Sequence, residues 1–197
     1  ESAPRIGFCG YVGTPLGRLA LRILGAKQKV DGLFLRARVL SALREDPRLR
    51  CEFVARASYL GRAPLSAFDK SHPLTAERDV FLRNLFTCPY ALAMRGKGNH
   101  SVRFYEILSA GRIPLFFNTR CVLPLENEID WRDLVAWVEE SELPVIGDRV
   151  LRFHESLDPE AFEERQRRIR QVWQTRLMPE PFFVHVLDTV ARGEPAP

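Results

Sequence analysis

Lysine is scarce in this chain. Lys27, Lys29, Lys70 and Lys97 are the only lysines among 29 basic residues in a sequence of 197. The positive charge is therefore carried almost wholly by arginine, whose planar fork suits bidentate contact with phosphate, although a genome-wide compositional bias produces the same usage. A strong charge of either sign is missing too. With 25 acidic residues the net charge is only +4. That mild excess, without interleaved aromatic and basic residues, argues against a nucleic-acid binder and suits a small anionic ligand. No apolar run approaches the roughly 18 residues that span a membrane. No signal peptide, internal repeat or low-complexity segment is visible. Cys9, Cys51, Cys88 and Cys121 form no Cys-x-x-Cys pair, and His72, His100, His154 and His185 have no metal-ligand spacing. Small core residues are the reading for the cysteines, with a disulfide as the alternative. What remains, 46% hydrophobic and 27% charged residues, describes an ordinary globular chain long enough to bury one core.

Elements of two kinds alternate along the first two-thirds. Arg5 to Cys9 reads as a strand, followed by a glycine-rich stretch at Gly10, Gly13 and Gly17. Apolar residues at helical spacing run from Leu33 to Leu43, with Glu45-Asp46-Pro47 as the stop signal. Cys51 to Ala55 is a second strand, Tyr59 to Pro73 a loop, and Thr75 a cap for a helix over residues 76–86. Tyr90 to Met94 and Ile113 to Phe117 are strongly apolar strands flanking a helix from Ser101 to Ala110. Such a β-α-β-α-β-α-β order predicts an α/β fold, a Rossmann-like parallel sheet flanked by helices, with ligands at the carboxyl edge where the glycine loops sit. Leu134 to Val138 is a further short strand. Asp158 followed by Pro159 marks the start of a charged helix to about Leu177, with Phe162, Ile169, Val172 and Trp173 on its apolar side. Phe182 to Val190 is the last helix. The whole chain, 1–197, reads as one domain with a core over about 4–140 and C-terminal helices over about 145–192.

The densest signal is Arg95 to Pro114, RGKGNHSVRFYEILSAGRIP. It describes a strand end, a tight loop and a helix whose N-terminus faces a ligand, where backbone N–H groups and the helix dipole favour an anion. Arg103 and Glu106 are three residues apart and project from one helix face. The guanidinium can clamp phosphate, and the carboxylate can accept from sugar hydroxyls. The plainer alternative is an ion pair that only ties down the helix. Gly96 and Gly98 allow close backbone approach or simply a tight turn. Ser101 is first a helix cap, and His100 and Arg95 are candidate phosphate contacts. Asn118 and Thr119 either line the pocket or form a turn. Asp130 is a candidate N-cap.

With these residues laid out, Phe81 to Trp131 resembles the exostosin family of glycosyltransferases (glycosyltransferase family 47). The resemblance rests on Arg95-Gly96, Ser101-Val102-Arg103-Phe104-Tyr105-Glu106, Ala110-Gly111, Ile113-Pro114-Leu115, Val122-Leu123-Pro124 and Ile129-Asp130-Trp131. The family usually has Cys-Pro before the Arg-Gly, where this chain has Ala93-Met94. The resemblance implies the C-terminal, donor-binding half of a two-domain GT-B enzyme, taken from a longer protein or a shortened homologue. It implies a nucleotide-sugar donor, a UDP-sugar first and GDP next, and a glycan or polysaccharide acceptor. Arg103 would be the catalytic group, with Arg95, Gly96, Gly98, His100, Ser101, Glu106, Asn118 and Thr119 completing the donor site. No cofactor is required, and there is no DxD element of the kind that binds a divalent metal. The partners expected are an N-terminal acceptor domain or a peripheral membrane association, with no nucleic acid. A bacterial enzyme in the cytoplasm or at the inner membrane and a Golgi enzyme both fit. The rival expectation is a catalytically silent Rossmann-like module that binds glycan or a partner enzyme.

Overall fold

The structure is a computed structural model and describes residues 3–24, 27–57, 74–96 and 98–193. The expected loop at 59–73 and the end of the tail beyond Gly193 lie outside these residues. Five strands form one parallel sheet: β1 (Arg5–Tyr11), β2 (Arg50–Arg56), β3 (Tyr90–Met94), β4 (Ile113–Asn118) and β5 (Ala136–Glu139). Their spatial order is β2-β1-β3-β4-β5, that of a doubly wound fold. Every residue of β3 and β4 is buried, as a strand covered on both faces requires. The Rossmann-like expectation therefore holds.

Eight α-helices accompany the sheet among the described residues: α1 (Pro15–Ile23), α2 (Lys27–Glu45), α3 (Leu74–Thr87), α4 (Val102–Ser109), α5 (Trp131–Leu134), α6 (Ile146–Glu155), α7 (Pro159–Val172) and α8 (Pro179–Ala191). Helix α2 packs on β2 and α6, while α4 lies across β3 and β4 and is backed by α7. At the foot of the sheet Tyr90 sits edge-on to Phe153, His154 and Phe162, and its hydroxyl pairs with His154 Nδ1 at 3.0 Å. Burial pushes the Tyr90 phenol above its ordinary range.

Several boundaries differ from the sequence reading. Gly10 belongs to β1 and Gly17 to α1, so the turn after β1 is only residues 12–14, with Gly13 at φ +70°. A helix starts inside the supposed loop because Thr14 Oγ1 accepts from the Gly17 N–H at 3.0 Å and Pro15 has a preset φ. Thr75 lies inside α3, not at its cap. Trp131 to Leu134 is a helical turn, so the last strand begins at Ala136. A 3₁₀ turn over Glu140–Val145 and helix α6 follow β5, and only α6 falls in the span, about 145–192, expected to be helical. Asp158 caps α7 as expected, accepting from the Ala161 N–H at 2.8 Å. Asp130 caps α5 by accepting from Arg132 and Asp133. All four cysteines are free, which removes the disulfide alternative.

Candidate functional site

The sheet opens between β1 and β3. Here the chain order reverses direction across the sheet, the place where open α/β folds gather ligands. The two strands pair only at Ile6–Tyr90 and Gly7–Ala91, whereas β1 and β2 pair over seven residues. Beyond Gly7 no further pairs join them, and the carboxyl ends of β1 and β3 stand as the two lips of the switch point, where such folds place a crevice.

Arg36 spans those lips. From the middle of α2 it donates Nη1 to the Tyr11 carbonyl and Nη2 to the Arg95 carbonyl at 2.9 Å. One turn earlier, Gly32 faces the same loop so closely that a Cβ there would lie 2.4 Å from Gly96 O. Gly32 and Arg36, four residues apart, thus latch α2 to the loop after β3. Sequence reading overlooked Arg36 among the arginines of this helix; the only signal was its spacing from Gly32.

Arg103 and Glu106 come together as the motif predicts. Arg103 Nε lies 3.2 Å from Glu106 Oε2, with the two side chains 28% and 41% exposed. The guanidinium also stacks 4.1 Å above the Phe81 ring. Burial weakens the hold of Arg103 on its proton; Glu106 opposes that shift and Arg56 adds to it. Arg36 is shifted the same way, first by burial and then by Arg103. The charge of Arg103 therefore bears on Arg36. Arg56 is paired with Glu77 at 3.6 Å, while among the described residues Arg36 hydrogen-bonds only to carbonyl oxygens.

Ser101 stands at the N-cap position of α4, yet its side chain makes no capping hydrogen bond. The amides of that first turn are thus left without a side-chain cap, unlike those of α5 and α7. Gly96 lies under Arg36. The loop folds the ring of His100 back toward Gly98, where an added Cβ would meet it at 3.0 Å. Among the described residues, the buried Nε of Arg95 has no hydrogen-bond partner.

Asn118 and Thr119 are buried and engaged with neighbours. Asn118 donates to Glu139 Oε2 at 2.7 Å and accepts from the Cys121 N–H at 2.9 Å. Thr119 donates to Asn99 Oδ1 at 2.5 Å, while Asn99 donates to the carbonyls of Thr119 and Arg120 at 3.0 and 2.9 Å. Asn99 therefore ties the loop after β3 to the turn after β4. Glu139, at the end of β5, also accepts from Trp137 Nε1 at 2.8 Å and Arg132 Nη2 at 2.6 Å. Its burial favours the neutral acid, but these three donors outweigh that and lower its pKa. Behind the helix, Ala110-Gly111 closes α4: Gly111 adopts φ +62°, and the amides of Gly111 and Arg112 return to Leu108 and Ile107. Ile113-Pro114 then enters β4 directly. The second half of the motif is an architectural joint, and the first half holds the candidate site residues.

Among the described residues, no group of three or more His, Cys, Asp or Glu side chains is arranged to hold a metal ion. No family model matches the chain. It is 38% identical over 72 residues to Exostosin-1 of Drosophila melanogaster, covering 36% of this chain and 9% of that protein. It is 30% identical over 139 residues to the probable beta-1,4-xylosyltransferase IRX10L of Arabidopsis thaliana, covering 67% of this chain and 31% of that protein. The chain thus spans less than a third of either relative. Joined to the ordered motif around Arg103 and Glu106, these matches support placing the chain in the exostosin family of glycosyltransferases.

Proposed function

We propose that this chain is the donor-binding half of a GT-B glycosyltransferase, holding a nucleotide-diphosphate sugar, a UDP-sugar in the first instance, in the crevice between β1 and β3. One observation carries the reading: the uncapped start of α4, Arg36 bridging the loops after β1 and β3, and a half-buried Arg103 whose charge bears on Arg36 fall at the switch point of the sheet. An anion placed there offsets that charge and accepts from the helix amides. Arg103 contacts the diphosphate and neutralises charge that grows on it as the bond to the sugar breaks, a form of electrostatic stabilisation that needs no metal. Glu106, at the more exposed end of the ion pair, accepts from the ribose hydroxyls. Arg95, Gly96, Gly98, His100 and Ser101 border the phosphates, while Asn118 and Thr119 hold the far wall. Displacement at the anomeric carbon then requires an acceptor hydroxyl and a general base. We place both on an acceptor domain, with a glycan or polysaccharide as the acceptor.

Titration with UDP, GDP and ADP by calorimetry tests this. One nucleotide should bind selectively, and Arg103→Ala should weaken it by about 2–3 kcal/mol through loss of a charge-assisted contact. The 3.2 Å Arg103–Glu106 pair favours one other reading, a silent module in which the pair only anchors α4. That reading requires no nucleotide affinity in the parent chain and a lower melting temperature in the variant.

A further inference from the structure

Helix α1 is inside out. An amphipathic helix ordinarily turns its apolar stripe to the core and its charges to water. Here Leu16, Leu19, Ile23 and Leu24 are 80%, 51%, 77% and 78% exposed, and their spacing places them on one stripe. Arg18 points the other way. Its Nη1 donates to the carbonyls of Val12 at 3.2 Å and Gly13 at 3.1 Å, and its guanidinium lies 5.9 Å from the Phe34 ring. Those bonds fasten the helix to the turn after β1 with its apolar stripe outward. A contiguous exposed stripe of this kind marks a contact surface.

Charge selects the occupant. From Val12 to Val30 the chain carries Arg22, Lys27 and Lys29 besides the inward-bonded Arg18, and no Asp or Glu. Two of its four lysines fall in this short stretch, although the chain as a whole is nearly balanced in charge. An apolar stripe within an acid-free basic segment matches a surface that is apolar beneath and anionic on top. We propose that α1 is a membrane-contact helix, seating this face of the domain on an anionic lipid surface with Leu16, Leu19, Ile23 and Leu24 at the headgroup–acyl boundary. Because α1 follows β1 at the carboxyl edge of the sheet, the crevice then lies beside the bilayer.

Vesicle flotation tests the proposal. The chain should float with phosphatidylserine-containing vesicles and much less with pure phosphatidylcholine, and high salt should weaken the binding. A Leu16→Ser, Ile23→Ser, Leu24→Ser variant should lose about tenfold or more in partitioning with an unchanged melting temperature, since none of the three is in the core. Lys27→Gln with Lys29→Gln should weaken binding to anionic vesicles alone, which guards against misfolding of the first variant. Equal binding to both lipids, no binding, or full binding by the serine variant overturns the proposal. So does a dimer in size-exclusion chromatography that the serine variant disperses without any vesicle binding, which would give the surface to a second copy.

Discussion

Cys88 is fully buried against β1, and its thiol is pushed up to about 11, chiefly by burial and then by Glu52, with Thr87 opposing. Burial likewise pushes Cys51 up to about 11. A group whose folded pKa exceeds its unfolded value of 9.0 contributes stability that is fully present below pH 9 and is lost as pH rises through about 11. The urea midpoint should therefore fall between pH 9 and 11, and Cys88→Ala should flatten that slope; an identical slope in the variant would refute the assignment. At this scale the sequence was informative where a side chain acts on its near neighbours. Asp130, Asp158 and the Arg103–Glu106 pair could all be read from spacing, because their partners lie within a turn. Arg36 could not, since its partners Tyr11 and Arg95 are 25 and 59 residues away and are chosen by the fold.

Elements follow the same division. The apolar strands β3 and β4 were legible because burial on both faces leaves a run that only a central parallel strand explains. Helix α1 was not, because Gly10 and Gly17 suggest a loop until the strand and the Thr14 cap absorb them. The close passage of α2 over the loop after β3 was likewise invisible, although it shapes the crevice. Both groups at that contact are backbone, so neither can rotate away. Gly32→Ala should cost about 1–3 kcal/mol in urea unfolding and weaken nucleotide binding by displacing Gly96. A stable variant with unaltered nucleotide affinity would show that the contact does not shape the site.

For the whole molecule, a mild net charge conceals a local one. The +4 total is small, but the charge of Arg56 bears on Arg103 and that of Arg103 on Arg36, a local concentration of positive charge. Nucleotide affinity should therefore fall several-fold from low to high salt, less steeply than for a fully exposed site because partly buried charges are screened less. Calorimetry across a salt series measures this, and a flat response would place the nucleotide away from the arginines.

The uneven pairing across the sheet has a mechanical meaning. One leaf is β2 with β1, the other is β3 with β4 and β5, and a two-residue seam at Ile6–Tyr90 and Gly7–Ala91 joins them. A load drawn across the strands meets its weakest row of hydrogen bonds there. Arg36 closes the opposite end of that seam like a clasp, so the spread of the leaves and the width of the crevice are one coordinate, governed at one end by backbone pairing and at the other by a single guanidinium.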